Sequence, residues 1–250
     1  MKDLVQKLEE ATDRLTLTVV EEMYRNPFWN DRFGARGRKF AEEDGRHHLS
    51  HLAQALAAGD AALMTVYARW LQSVLTSRGI CSRLLAQNFQ CLAAAIGNEK
   101  FPGGEVAIEY LARAEAALEY PEGEPGELVR ASGRLAERAA SLVYERHPDW
   151  AMTWGPPGKA RCASDGLYHL SYLADSLALG RPLTFSSYCA WMSGFLERLG
   201  MSPGHLAEIL RALVSGVETD EALSPGLKRA ALQTLAGGLE VAAVPAGVRP

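Results

Sequence analysis

The chain has 250 residues, 48% of them apolar and 22% charged, with a net charge of −4. Those values describe an ordinary globular composition and exclude the broad basic field that nucleic acid or anionic lipid would require. No apolar run reaches the 18 residues of a membrane span, and the N-terminus lacks the apolar block of a signal peptide, so the expected setting is cytoplasmic.

The first expected helix covers residues 2–25, where Leu4, Leu8, Ala11, Leu15 and Val19 step by three and four along one face. Asn26-Pro27 ends it, because a proline biases the residue before it away from helical angles. Pro27 to Lys39 then reads as an irregular loop, rich in aromatic residues and glycine, with Trp29, Phe33, Gly34 and Gly37. Arg36, Arg38 and Lys39 sit where the next helix begins, a place whose free N–H groups favour anions. That helix, from about Phe40 to Ala58, has Ala41, Gly45, Leu49, Leu52 and Leu56 as its expected buried stripe. A third helix has Leu63, Val66, Tyr67, Trp70 and Val74 as its expected inner face. A fourth has Leu85, Phe89, Leu92 and Ile96, and a fifth has Ala107, Leu111, Ala114 and Leu118.

Then the pattern starts again. Asp44-Gly45-Arg46-His47-His48-Leu49-Ser50-His51-Leu52-Ala53 returns 121 positions later as Asp165-Gly166-Leu167-Tyr168-His169-Leu170-Ser171-Tyr172-Leu173-Ala174. Between Arg25 and Ile96, roughly three positions in ten are identical to their partner 121 residues on, without a gap. Trp29 pairs with Trp150, Gly34 with Gly155, Tyr67 with Tyr188 and Trp70 with Trp191. The expected fold is therefore all-α, a tandem duplication of a five-helix unit in a pseudo-two-fold arrangement. The first unit takes residues 1–120, a linker 121–126, the second unit 127–241, and a loose tail 242–250.

Chemistry is less legible. Asp44 stands one turn before His48, and Asp165 one turn before His169, so a carboxylate–imidazole hydrogen bond is expected in each unit. Such a pair orients the other ring nitrogen toward a ligand. A glycine inside a helix costs about 1 kcal/mol relative to alanine, so Gly45 and Gly166 imply a close neighbour, for which Trp29 and Trp150 are the expected occupants. The expected cofactor-binding set is Asp44, His48, Trp29, Tyr67 and Trp70 with Asp165, His169, Trp150, Tyr188 and Trp191. His47 and His51, at i and i+4, form a candidate metal pair with Asp44 close by. In the second copy Cys162 joins Asp165 and His169 on one face, where the first copy has Ala41. The four cysteines lack CxxC spacing, and phosphate-loop, nucleophile-elbow and HExxH motifs are absent.

The reading these residues favour is a sensory or regulatory helical protein with a small-molecule pocket in each repeat, acting without catalysis. Its alternatives are an enzyme holding a haem-like tetrapyrrole or a divalent metal on His48 or His169, and a scaffold that binds partner proteins. Neither nucleic acid nor a membrane is an expected partner.

Overall fold

In the computed structural model, residues 1–202 and 204–243 are described. Among them the chain forms eleven helices and no strands. It divides into two compact units, one of residues 1–75 with 82–119, the other of residues 76–81 with the described residues from Tyr120 onward. The short piece 76–81 belongs to the second unit, where Gly79 O accepts a hydrogen bond from Tyr172 Oη at 3.2 Å. The expected tail falls outside the described residues apart from Ala242 and Ala243.

The first unit opens with α1 (Lys2–Glu10) and α2 (Thr12–Tyr24). One helix is expected here, and Ala11 interrupts it. The Thr12 hydroxyl donates to Leu8 O at 3.0 Å, a local bond that bends helices. The apolar face survives the bend, since Leu4, Leu8, Ala11, Leu15 and Val19 are all buried. Next, α3 runs from Pro27 to Ala58 with non-helical angles at Gly34. The expected irregular loop is therefore helical: seven residues form a short helix before Gly34, and a longer helix follows it. Pro27 makes this favourable, because proline at a first helical position gives up an N–H that has no intrahelical partner. Asn26 caps the start, its Oδ1 accepting from Phe28 N at 3.0 Å.

In α4 (Ala62–Thr76) the buried face lies beside the expected one. Met64, Tyr67, Ala68, Leu71 and Leu75 are buried, whereas Leu63, Val66 and Trp70 are exposed. A helix with apolar residues on more than half its circumference leaves the choice of face to packing. The expected cores of α5 (Ser82–Glu99) and α6 (Gly104–Ala116) hold. Helices α2 and α3 pack together, as do α5 and α6, and α2 also meets α5.

The second unit consists of α7 (Gly123–Arg146), α8 (Pro148–Leu179), α9 (Pro182–Arg198), α10 (His205–Thr219) and α11 (Pro225–Ala242). Most of the expected linker is the first turn of α7, with Pro125 in the part of a helix that tolerates it. Helix α8 breaks at Gly155 with φ 57° and ψ −158°, beside φ 59° and ψ −162° at Gly34. Leu206, Leu210, Leu213 and Val217 are buried in α10 as expected. In α11, where Leu232, Leu235 and Leu239 are the expected face, Leu235 is buried, but Leu227 and Ala231 are buried in place of Leu232 and Leu239, which are half-buried.

The 121-residue register expected from the sequence does not extend to the first helix of each unit. Leu8, Ala11, Leu15 and Val19 of the first unit answer to Leu128, Ala131, Leu135 and Ala139 of the second, at an offset of 120. The Arg14–Glu99 ion pair answers to Arg134–Asp220, with the arginines offset by 120 and the acids by 121. One extra residue between Tyr144 and Pro148, compared with Tyr24 and Pro27, accounts for the difference.

Candidate functional site

The site is built where the break in α3 or α8 turns a short aromatic helix back on its unit. The angles at Gly34 and Gly155 lie in a region that is essentially closed to residues with a Cβ. Tyr24 Oη donates to Gly34 O at 3.5 Å and holds the turn in the first unit. Beyond the turn the indoles are buried as expected, Trp29 at 5% exposure and Trp150 at 6%.

Their neighbours differ from the expected glycines. A Cβ on Gly45 would meet Thr16 Cγ2 at 2.8 Å, and one on Gly166 would meet Ala136 Cβ at 3.2 Å. These glycines mark the crossings of α3 on α2 and of α8 on α7. Trp29 packs instead among Tyr24, Phe28 and Phe33, with ring centroids 6.1, 5.9 and 5.4 Å away. Its Nε1 is buried with no hydrogen-bond partner. Trp150 lies between two imidazoles, stacked on His205 at 3.9 Å and on His147 at 4.7 Å.

The central histidines also take partners other than those expected. His48 is 2% exposed, and its Nδ1 lies 2.6 Å from Tyr67 Oη. His169 is equally buried, with Nδ1 2.7 Å from Tyr188 Oη. The expected Asp–His hydrogen bond gives way to a His–Tyr bond that joins two helices. Asp165 pairs with Arg161 at 2.9 Å, and the charge of Asp44 is felt at Tyr67. Burial holds His48 neutral, pushing its pKa down to about 3 with help from His47 and His51. Burial likewise lowers His169 to about 4, with His205 adding to the effect. Both tyrosine hydroxyls are pushed upward, Tyr67 by burial and then by Asp44, Tyr188 by burial first. Each tyrosine carries a second ring flat on its own, His51 on Tyr67 at 4.0 Å and Tyr172 on Tyr188 at 3.7 Å.

Set against known protein families, curated proteins and solved structures, the chain finds no match.

The other expected site residues are placed unevenly. Trp70 is 58% exposed with its ring 6.0 Å from that of Tyr67, and Trp191 is stacked on Phe195 at 5.2 Å. His47 is exposed, and His51 lies against Tyr67 rather than turning outward with it. Among the described residues no group of three or more His, Cys, Asp or Glu side chains is placed to hold a metal. Cys162 is half-buried, and burial raises its thiol to about 11, with Asp165 adding to the effect. It is a protonated thiol rather than a thiolate ligand at neutral pH. Two of the basic residues near the turn are engaged too. Arg38 lies over the Tyr24 ring and 3.9 Å from Glu42, and Arg161 is held by Asp165.

His147 and His205 are the residues that sequence reasoning missed. They occupy the positions of Asn26 and Leu84, so the repeat that highlighted the rest of the site passed over them. The Tyr–His bonds were half visible, because Tyr67 and Tyr188 recur in register, but nothing in the spacing aims them at His48 and His169.

Proposed function

We propose that this protein is a duplicated pair of helical modules with a regulatory, non-catalytic role in the cytoplasm. Each module holds a small, flat, partly apolar ligand beneath its short aromatic helix. The observation that carries this reading is Trp29 Nε1, an indole N–H buried without a partner among the described residues, on a segment joined to the rest of α3 through the non-helical turn at Gly34. A buried donor left unpaired costs about 1–3 kcal/mol, which a ligand acceptor would recover. The duplication is supported by the matching breaks at Gly34 and Gly155 and the matching His–Tyr bonds. A role for His48 or His169 as a haem or metal ligand has less support, since both rings are buried and bonded to tyrosine.

Freshly purified protein should be taken through native mass spectrometry and an absorption spectrum. Haemin and the flat anionic probe 8-anilinonaphthalene-1-sulfonate should then be titrated by thermal shift. A bound species, or a shift that Trp29→Phe abolishes while leaving the unliganded Tm close to wild type, supports the reading. No bound species and no shift with either probe would remove it.

A specific observation favours a second reading, the interaction scaffold. Leu63, Val66 and Trp70 form an exposed apolar row along α4, of the kind that marks protein contacts. Light scattering of wild type beside Val66→Glu would test it, with a smaller species expected for the variant. An unchanged mass would count against a self-association surface.

A further inference from the structure

The two units carry the same short helix but hold it differently. In the first, the rings packed on Trp29 are Tyr24, Phe28 and Phe33, none of which changes charge between pH 4 and 7. In the second, the indole of Trp150 is covered by His205 from the start of α10 and by His147 from the end of α7. The two stacks are nearly parallel, with interplanar angles of 13° and 21°. Trp154, on the same short helix, meets His205 edge-on at 5.8 Å. His205 Nδ1 is buried without a hydrogen-bond partner among the described residues. A proton on the ring would leave the Nδ1–H, an atom shut off from solvent on a half-buried ring, without an acceptor among the described residues.

The charges around His205 do not offset that cost. His147 is stacked on the same indole and shares its own Nε2 with Glu208 at 3.2 Å. Glu208 is also held by Arg211, so its charge is divided between two partners. On the core side a charge on His205 disfavours protonation of His169. Three imidazoles thus converge on one end of this unit, and the short helix carrying Trp150 is joined to the rest of α8 through the Gly155 turn.

We propose that His205 is an acid-sensitive latch on the segment Pro148–Trp154. Neutral, it lies flat on Trp150 and holds the segment against the core. Protonated, it is stable only when the segment swings away at Gly155 and water reaches the ring. The first unit, with Leu84 at the corresponding position, has no such latch. The device needs no ligand and stands apart from any ligand in either unit.

The sign follows from proton linkage. Burial, and then His147, lower the folded-state pKa of His205 to about 4, against 6.5 for a free imidazole. The closed segment therefore binds fewer protons than the open one between those values. Closure weakens as pH falls from about 6.5, by roughly tenfold per unit for one proton, and levels off below about 4.

Hydrogen exchange followed by mass spectrometry on the full chain tests this, with rates corrected for their intrinsic pH dependence. Protection of residues 148–158 should fall roughly fortyfold between pH 6.5 and 4.5 relative to residues 27–37. His205→Phe keeps a ring on Trp150 without a titrating group and should remove that difference. His205→Leu, which copies the first unit, should remove it as well. If the two segments lose protection in parallel, or if His205→Phe keeps the slope, the latch is refuted.

Discussion

Gly45→Ala should destabilise the wild-type protein yet stabilise a Thr16→Ala background. Within a helix, alanine is favoured over glycine by about 1 kcal/mol. Against that gain, the new Cβ would lie 2.8 Å from Thr16 Cγ2 and 3.3 Å from Thr16 Oγ1. Carbon atoms pack at roughly 3.5–4.0 Å, so α2 and α3 would have to part. Thr16 is β-branched on a helix and has little rotamer freedom to move away. Overpacking of this kind costs about 1–3 kcal/mol, leaving a net loss of up to about 2 kcal/mol. Thr16→Ala deletes both close atoms, and what remains is Cβ at 3.5 Å, an ordinary contact. It also deletes a buried hydroxyl oxygen that has no partner. In that background the helix preference acts alone, and Gly45→Ala should stabilise by about 1 kcal/mol. Urea denaturation of the four proteins of the cycle, at constant m, gives both signs. Gly45→Ala stabilising on its own, or showing the same sign in both backgrounds, would refute the reasoning. The second unit is the natural comparison, with Gly166 crossing Ala136.

Other outcomes follow from the same geometry. Tyr67→Phe and Tyr188→Phe should each destabilise by about 1–3 kcal/mol, because a buried imidazole nitrogen loses its only hydroxyl partner; denaturation midpoints check this, and a neutral effect would mean the bond contributes nothing net. Global stability should fall on acidification. The folded-state pKa values of His48 and His169 are depressed to about 3 and 4, so the unfolded chain binds the extra protons below about 6.5. Each histidine contributes a slope of roughly 1.4 kcal/mol per pH unit, persisting down to its folded value. Urea midpoints at pH 7, 6 and 5 should decline, and a flat series would contradict the burial of both rings. Gly34→Ala and Gly155→Ala should each cost about 1–3 kcal/mol, since no clash is involved and backbone strain acts alone. Trp fluorescence should report loosening of the mutated unit's segment, and an unshifted spectrum with wild-type stability would argue against the hinge.

The sequence by itself determined the helical class, because apolar residues at steps of three and four, with no sustained period of two, leave a chain no other way to bury them. It also determined the burial of both tryptophans and the faces of α5, α6 and α10. Those faces are narrow stripes, and a narrow stripe has one orientation. Only the tertiary structure decided the rest. In α4 the apolar residues run too far round the helix to choose between Trp70 and Leu71, and packing chose Leu71. The 27–39 segment has glycines that read as a loop, but one of them serves as a hinge between two helices and another gives room to Phe33. Asp44 and His48 are neighbours along a helix, and spacing proposes their bond. Tyr67, nineteen residues on, takes the imidazole instead, because a fully buried ring bonds to what is buried with it. His205 is the sharpest case. It has no counterpart in the first copy and no motif around it, and it reaches Trp150 only because α10 and the start of α8 meet in three dimensions.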